Sequence, residues 1–218
     1  MYPPTNLTIT VSAVLLITAL ILGAVPIIVR KGKSLHKTFG KLFFMVSVLA
    51  AISATYIGLV IFESDLMALS SIATIFVGLT GVRAIRMKRP DKKDHHKPQL
   101  LDWGIAIVFL IVCLYFFVAG LIKPRFLSEV TSLVSVIFAS LSLFDFHLFT
   151  RTFVKVKHRM SWLYKHLGRM LIGYGLVITV LTQLMSGGRP SIMWIFPLVL
   201  TLVVIAIFSR IYQMKYEG

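Results

Sequence analysis

The 218-residue chain is 57% hydrophobic and only 14% charged, with a mean hydropathy of +0.88. An ordinary soluble domain carries about 45–50% apolar and about 25% charged residues, so a soluble core of this size cannot hide so much apolar surface. A spanning helix needs about 20 apolar residues and seven would use about 140, which leaves short loops and no separate soluble domain. The composition therefore predicts an integral membrane protein built as one domain over residues 1–218.

Apolar runs follow one another along the chain. They cover 7–29, 42–62, 66–85, 103–122, 127–149, 170–185 and 192–211. Each is near spanning length at 1.5 Å per residue. The sixth is short unless its helix begins near Lys165. The expected fold class is all-α, an integral membrane bundle of seven transmembrane helices.

The formal net charge of +15 does not indicate nucleic acid. The basic residues are spread over short loops, and no basic segment is long enough to form a domain. Twenty of the 23 Lys and Arg fall in the first, third and fifth loops and the C-terminal tail, including Arg30, Lys41, Arg83, Lys92, Lys165, Arg169 and Arg210. Only Lys123, Arg125 and Arg189 fall on the other side, with Glu63, Asp65 and Glu129. The positive-inside rule then gives an outside N-terminus and a cytoplasmic C-terminus. The implied partners are the lipid bilayer and anionic lipid headgroups at the basic cytoplasmic loops. No Lys or Arg precedes Arg30, so the first run reads as a retained span rather than a signal peptide. Cys113 is the single cysteine, which rules out an internal disulfide. His95 and His96 lie in the polar loop 88–97, with no third ligand near them in sequence.

Leu35-His36-Lys37-Thr38-Phe39-Gly40-Lys41 is similar to Leu163-Tyr164-Lys165-His166-Leu167-Gly168-Arg169. Both stretches lead into a helix, the second and the sixth. Arg83, Met87 and Lys88 match Arg210, Met214 and Lys215 at nearly the same offset. This pattern suggests a 3+1+3 parallel repeat, an arrangement that some transporters use with the substrate site between the halves. Basic anchors at every cytoplasmic helix end would produce the same likeness.

The His-x3-Gly-Lys pattern from Leu35 to Met45 also resembles an uncharacterised family of bacterial multi-pass predicted membrane proteins. So does the Trp-x3-His-x-Gly-Arg-Met pattern from Trp162 onward. The resemblance implies the inner membrane and implies no reaction.

An ionisable group within a span is costly and so marks a candidate site. Asp145 is the acid that lies well inside an apolar run. Ser128, Ser132, Ser135, Ala139 and Ser142 recur upstream at steps of four and three, and Asp145 continues that helical face. The stripe reads as a polar path or pocket, or as close helix packing with Asp145 paired to a loop Arg. Ala50, Ala54 and Gly58 give the second helix a small residue every four, a packing face. Gly173, Tyr174 and Gly175 predict a kink or close approach in the sixth helix.

His36 opens the second helix and His166 opens the sixth. With Asp145, these two could ligate zinc or haem iron; interfacial histidines beside headgroups are the alternative. A mid-membrane Lys for retinal, a His-x3-His pair in the last helix, paired haem histidines on one helix, a phosphate-binding loop and a serine nucleophile elbow are all absent from the sequence. Two functions remain: a permease-like or ligand-binding bundle for a small solute, or a haem- or metal-binding redox or hydrolytic enzyme.

Overall fold

A computed structural model describes residues 4–87, 97–122, 126–152, 161–188 and 192–216, with only the backbone described at a few helix ends. The described residues form helices and no strand. In chain order these are α1 (Pro4–Ile28), α2 (Ser34–Tyr56), α3 (Asp65–Ala84), α4 (Leu100–Ile122), α5 (Phe126–Thr152), α6 (Ser161–Met185) and α7 (Phe196–Tyr216). α2 continues as a π-helical turn, Ile57–Ile61, and α3 ends in a 3-10 turn, Ile85–Met87. Six helices are long and apolar enough to cross a membrane, while α7 contributes a shorter apolar stretch, Phe196–Ile211. The architecture is that of a multi-pass helical membrane protein.

Burial supports this from the residues upward. Ile107, Val108, Ile111 and Leu114 on α4 are exposed, whereas Ser12, Ser70, Ser142, Asp145, Arg169 and Gln183 are buried. In water this distribution would be reversed. In lipid, apolar side chains face outward without penalty, and polar groups turn inward to find partners. Several of the buried hydroxyls find such partners. Ser53 donates to Ser12 at 3.0 Å, and Ser70, Ser71 and Thr74 each donate to the carbonyl four residues earlier.

The chain forms two compact units. The first comprises Met1–Gly78 and Ile172–Leu202, and the second Leu79–Leu171 and Val203–Gly218. In the first, α1 and α2 pack together, and Phe43 of α2 meets Tyr174 of α6 with ring centroids 6.1 Å apart. Ala50, Ala54 and Gly58 are all buried. At the end of α2 the π turn closes onto α3, where the backbone N–H of Ser64 donates to the Gly58 carbonyl at 2.7 Å.

α6 begins at Ser161 and runs unbroken through Gly173-Tyr174-Gly175. Those glycines serve close approach. A Cβ on Gly175 would fall 3.0 Å from Cβ of Thr201 on α7 and closer still to its hydroxyl. His95, His96 and most of the 88–97 loop lie outside the described residues, as do Lys123, Arg125 and Arg189.

Candidate functional site

The site lies in the second unit, on the ends of α4, α5 and α6 and the last turn of α3. Its foundation is the α5 face with small polar residues at steps of three and four. Ser132, Ser135, Ser142 and Asp145 are all buried; the side chain of Ser128 is outside the described residues. Small serines let α5 come close to α4, and their hydroxyls bond to backbone carbonyls. Ser142 donates to the Ala106 carbonyl at 2.6 Å and Ser132 to the Phe117 carbonyl at 3.2 Å. Ser135 turns back to its own helix, to Thr131 at 2.7 Å. The partner face of α4 is Ala106, Phe109, Cys113, Phe116 and Gly120, also at steps of three and four.

Asp145 ends the stripe and is 0% exposed. Its Oδ1 receives two cations from α6: the Lys165 ammonium at 2.9 Å and Nη2 of Arg169 at 2.8 Å. Lys165 and Arg169 are four residues apart, so they share one helix face. The same Arg169 nitrogen donates to the Leu141 carbonyl at 2.7 Å. The other carboxylate oxygen, Oδ2, is buried with no hydrogen-bond partner among the described residues. The Lys165 ammonium also lies 4.7 Å from the centroid of the Phe149 ring, which attracts it through the negative face of the ring. Trp103 packs on Phe149 and Phe146, with centroids 5.2 and 5.5 Å away. An aromatic cluster of Trp103, Phe146 and Phe149 thus lies on the Lys165 side of the centre.

A second carboxylate, Asp102, sits in the first turn of α4 and is also buried. Arg83, in the last turn of α3, grips it with both Nε and Nη2. The Gln99 backbone N–H donates to the same carboxylate at 2.8 Å. An acid at a helix start and a base at a helix end each oppose the local helix dipole, so this pair stabilises both termini.

The two histidines perform one task in separate units. His36 Nδ1 lies 3.1 Å from the Pro26 carbonyl in the first unit, and His166 Nδ1 lies 2.8 Å from the Gly81 carbonyl in the second. A carbonyl only accepts, so Nδ1 carries the proton in both. Pro26 belongs to the last turn of α1, where intrahelical donors run out, and Gly81 to the last α-helical turn of α3, ahead of its 3-10 turn. Gly81 permits this approach, because a Cβ there would lie 2.6 Å from Cε of Met170 and 3.0 Å from Cβ of Arg169. Among the described residues no three His, Cys, Asp or Glu side chains come together as a metal site requires.

No protein family, curated protein or solved structure matches this chain. Its functional reading therefore rests on the charged centre itself. Sequence reasoning reached Asp145 and the serine stripe through helical periodicity. It passed over Asp102, which stands just outside an apolar run taken to begin at Trp103. Its pairing with Arg83 is a meeting of two helix ends, for which the sequence carries no periodic signal.

Proposed function

We propose that this chain is a permease-like, ligand-binding membrane bundle for a small anionic solute, recognised by Lys165 and Arg169 with Asp145 as their resident counter-charge. The observation that carries this reading is the sharing of one buried carboxylate oxygen by two cations within membrane-length helices. Buried ionisable groups are expensive and mark substrate and ion pathways in membrane proteins. Removing one member of a buried pair strands a charge. An entering carboxylate or phosphate avoids that cost, since it takes over one cation while Asp145 keeps the other. The serine stripe of α5, closed against α4, would hold Asp145 in place at the centre. In this reading α7 is the seventh span, the two triples of helices form a 3+1+3 repeat, and the basic loops face the cytoplasm of a bacterial inner membrane against anionic lipid. The chain would then belong with the bacterial multi-pass proteins that its His-Gly motifs resemble.

The test is flux through liposomes containing the purified protein. Anion-dependent swelling is measured for acetate, lactate, phosphate and chloride. The proposal expects one carboxylate or phosphate to enter faster than in empty liposomes, and Lys165→Met to abolish the difference. Equal swelling for all anions, with and without protein, would refute transport.

One observation favours the haem- or metal-enzyme reading. A histidine whose Nδ1–H is fixed on a carbonyl is held as metal-ligating histidines are. A Soret band, or stoichiometric zinc or iron in the purified protein, would move the function to that class.

A further inference from the structure

We infer that a cluster of buried oxygens on α2, α3 and α6, in the first unit, is a binding site for a small monovalent cation. The observation that points to a ligand is Gln183. Its side chain is 1% exposed, and its Oε1 has no hydrogen-bond partner among the described residues. Its Nε2 donates to the Ser70 hydroxyl at 3.5 Å, which turns the amide toward α3.

The hydroxyls of α3 and α6 beside it have committed their protons elsewhere. The Ser70 hydroxyl gives its proton to the Leu66 carbonyl at 2.8 Å and Thr74 to the Ser70 carbonyl at 2.9 Å. On α6, Thr179 gives its proton to the Gly175 carbonyl at 3.0 Å. Each hydroxyl has one proton, so only lone pairs remain to face the helix interface. Ser70 and Thr74 are one turn apart on α3, as are Gln183 and Thr179 on α6. The two helices run antiparallel here. Ser70 meets Gln183 at one level, and a Cβ on Gly173 would touch Val77 at 3.4 Å at another. Thr74 and Thr179 fall between these levels.

α2 adds a fifth oxygen. Ser47 is buried and its hydroxyl has no partner among the described residues. It lies one turn from Phe44, whose ring would be 3.1 Å from a Cβ on Gly78, and Gly78 is one turn from Thr74. Ser47 is therefore at the level of Thr74.

Three of the four hydroxyls have spent their protons on backbone carbonyls and only Ser47 keeps one uncommitted, so the cluster holds more acceptors than donors and is complementary to positive charge. The five residues carry no carboxylate, which a divalent ion demands and a monovalent ion does not. Neutral oxygens that replace a hydration shell are how membrane proteins hold dehydrated alkali cations. Ammonium shares this chemistry, and the test separates it from sodium and potassium.

The full chain, purified in mild detergent, is melted in N-methylglucamine chloride. That salt is exchanged stepwise for sodium, potassium or ammonium chloride at constant ionic strength. One cation should raise the Tm saturably, by about 3–6 °C at tenfold over its Kd. Thr74→Val, which keeps the side-chain shape, and Gln183→Leu should each abolish the cation-dependent rise. Equilibrium binding of radioactive sodium to the wild-type chain provides a readout independent of variant folding. Equal Tm values in all four salts together with no bound sodium would overturn the inference, leaving structural water on Gln183. Cation-dependent stabilisation that survives both substitutions would overturn it too, by placing the ion elsewhere.

Discussion

Asp145→Asn keeps the size of the side chain and removes the charge on which Lys165 and Arg169 converge. At the observed 2.9 and 2.8 Å, each attraction amounts to about 6 kcal/mol at an effective dielectric of about 20. Desolvation offsets most of that, and breaking a buried pair leaves a net loss of about 3–5 kcal/mol. For a chain of this size, 1 kcal/mol moves the Tm by about 2–4 °C, so Asp145→Asn should melt about 6–20 °C below wild type. Tryptophan fluorescence in mild detergent follows the melt, and with Trp162 and Trp194 replaced by Phe it reads the centre locally, since Trp103 packs on Phe146 and Phe149. The double variant Asp145→Asn, Lys165→Met should recover part of the loss, because one of the two stranded cations is gone. An Asp145→Asn protein melting within about 2 °C of wild type would refute the charged-centre reasoning. So would a double variant less stable than the single one.

Ser135→Leu should destabilise by about 1–3 kcal/mol in a denaturant melt through overpacking, while Val136→Leu, on an exposed position of the same helix, should leave stability unchanged. Gly175→Ala should lower the Tm through its clash with Thr201, and adding Thr201→Ala should restore part of it, as a paired melt would show. Asp102→Asn should loosen the junction of α3 and α4 and speed hydrogen exchange in the first turn of α4, where Asp102 holds Arg83 and the Gln99 N–H; Gln99→Ala, which retains that N–H, should not. A cysteine at Ser34 in a Cys113→Ser background should resist an impermeant thiol reagent applied to intact cells, and labelling from outside would reverse the proposed orientation.

The helices are legible because apolar runs of spanning length are a strong signal, and α1, α3, α4 and α5 fall close to those runs, whereas α2 begins at Ser34, well ahead of its apolar run, because its first turns hold His36, Lys37 and Lys41. α6 was harder to read. Its first turns hold Trp162, Lys165, His166 and Arg169, so hydropathy placed its start too late, whereas the helix includes these residues and buries Arg169. The buried face of α5 follows from a spacing of three and four residues alone, and the arginine expected beside Asp145 is Arg169, whose long side chain reaches inward from α6. The Arg83–Asp102 pair depends on where two helix ends meet after a loop, which no periodicity encodes. The histidines show another limit: sequence puts both at helix starts, but that each is committed to a carbonyl at the end of another helix depends on how the helices pack.

Recognition of a small anion by Lys165 and Arg169, in exchange with Asp145, is tested by the Tm of the detergent-purified chain in acetate, lactate and phosphate, against chloride at matched ionic strength. One of these anions should stabilise the wild-type protein saturably beyond chloride, and Lys165→Met, which leaves Arg169 on Asp145, should lose the effect while still melting cooperatively. Identical melting in all four anions, or stabilisation that persists in Lys165→Met, would contradict it.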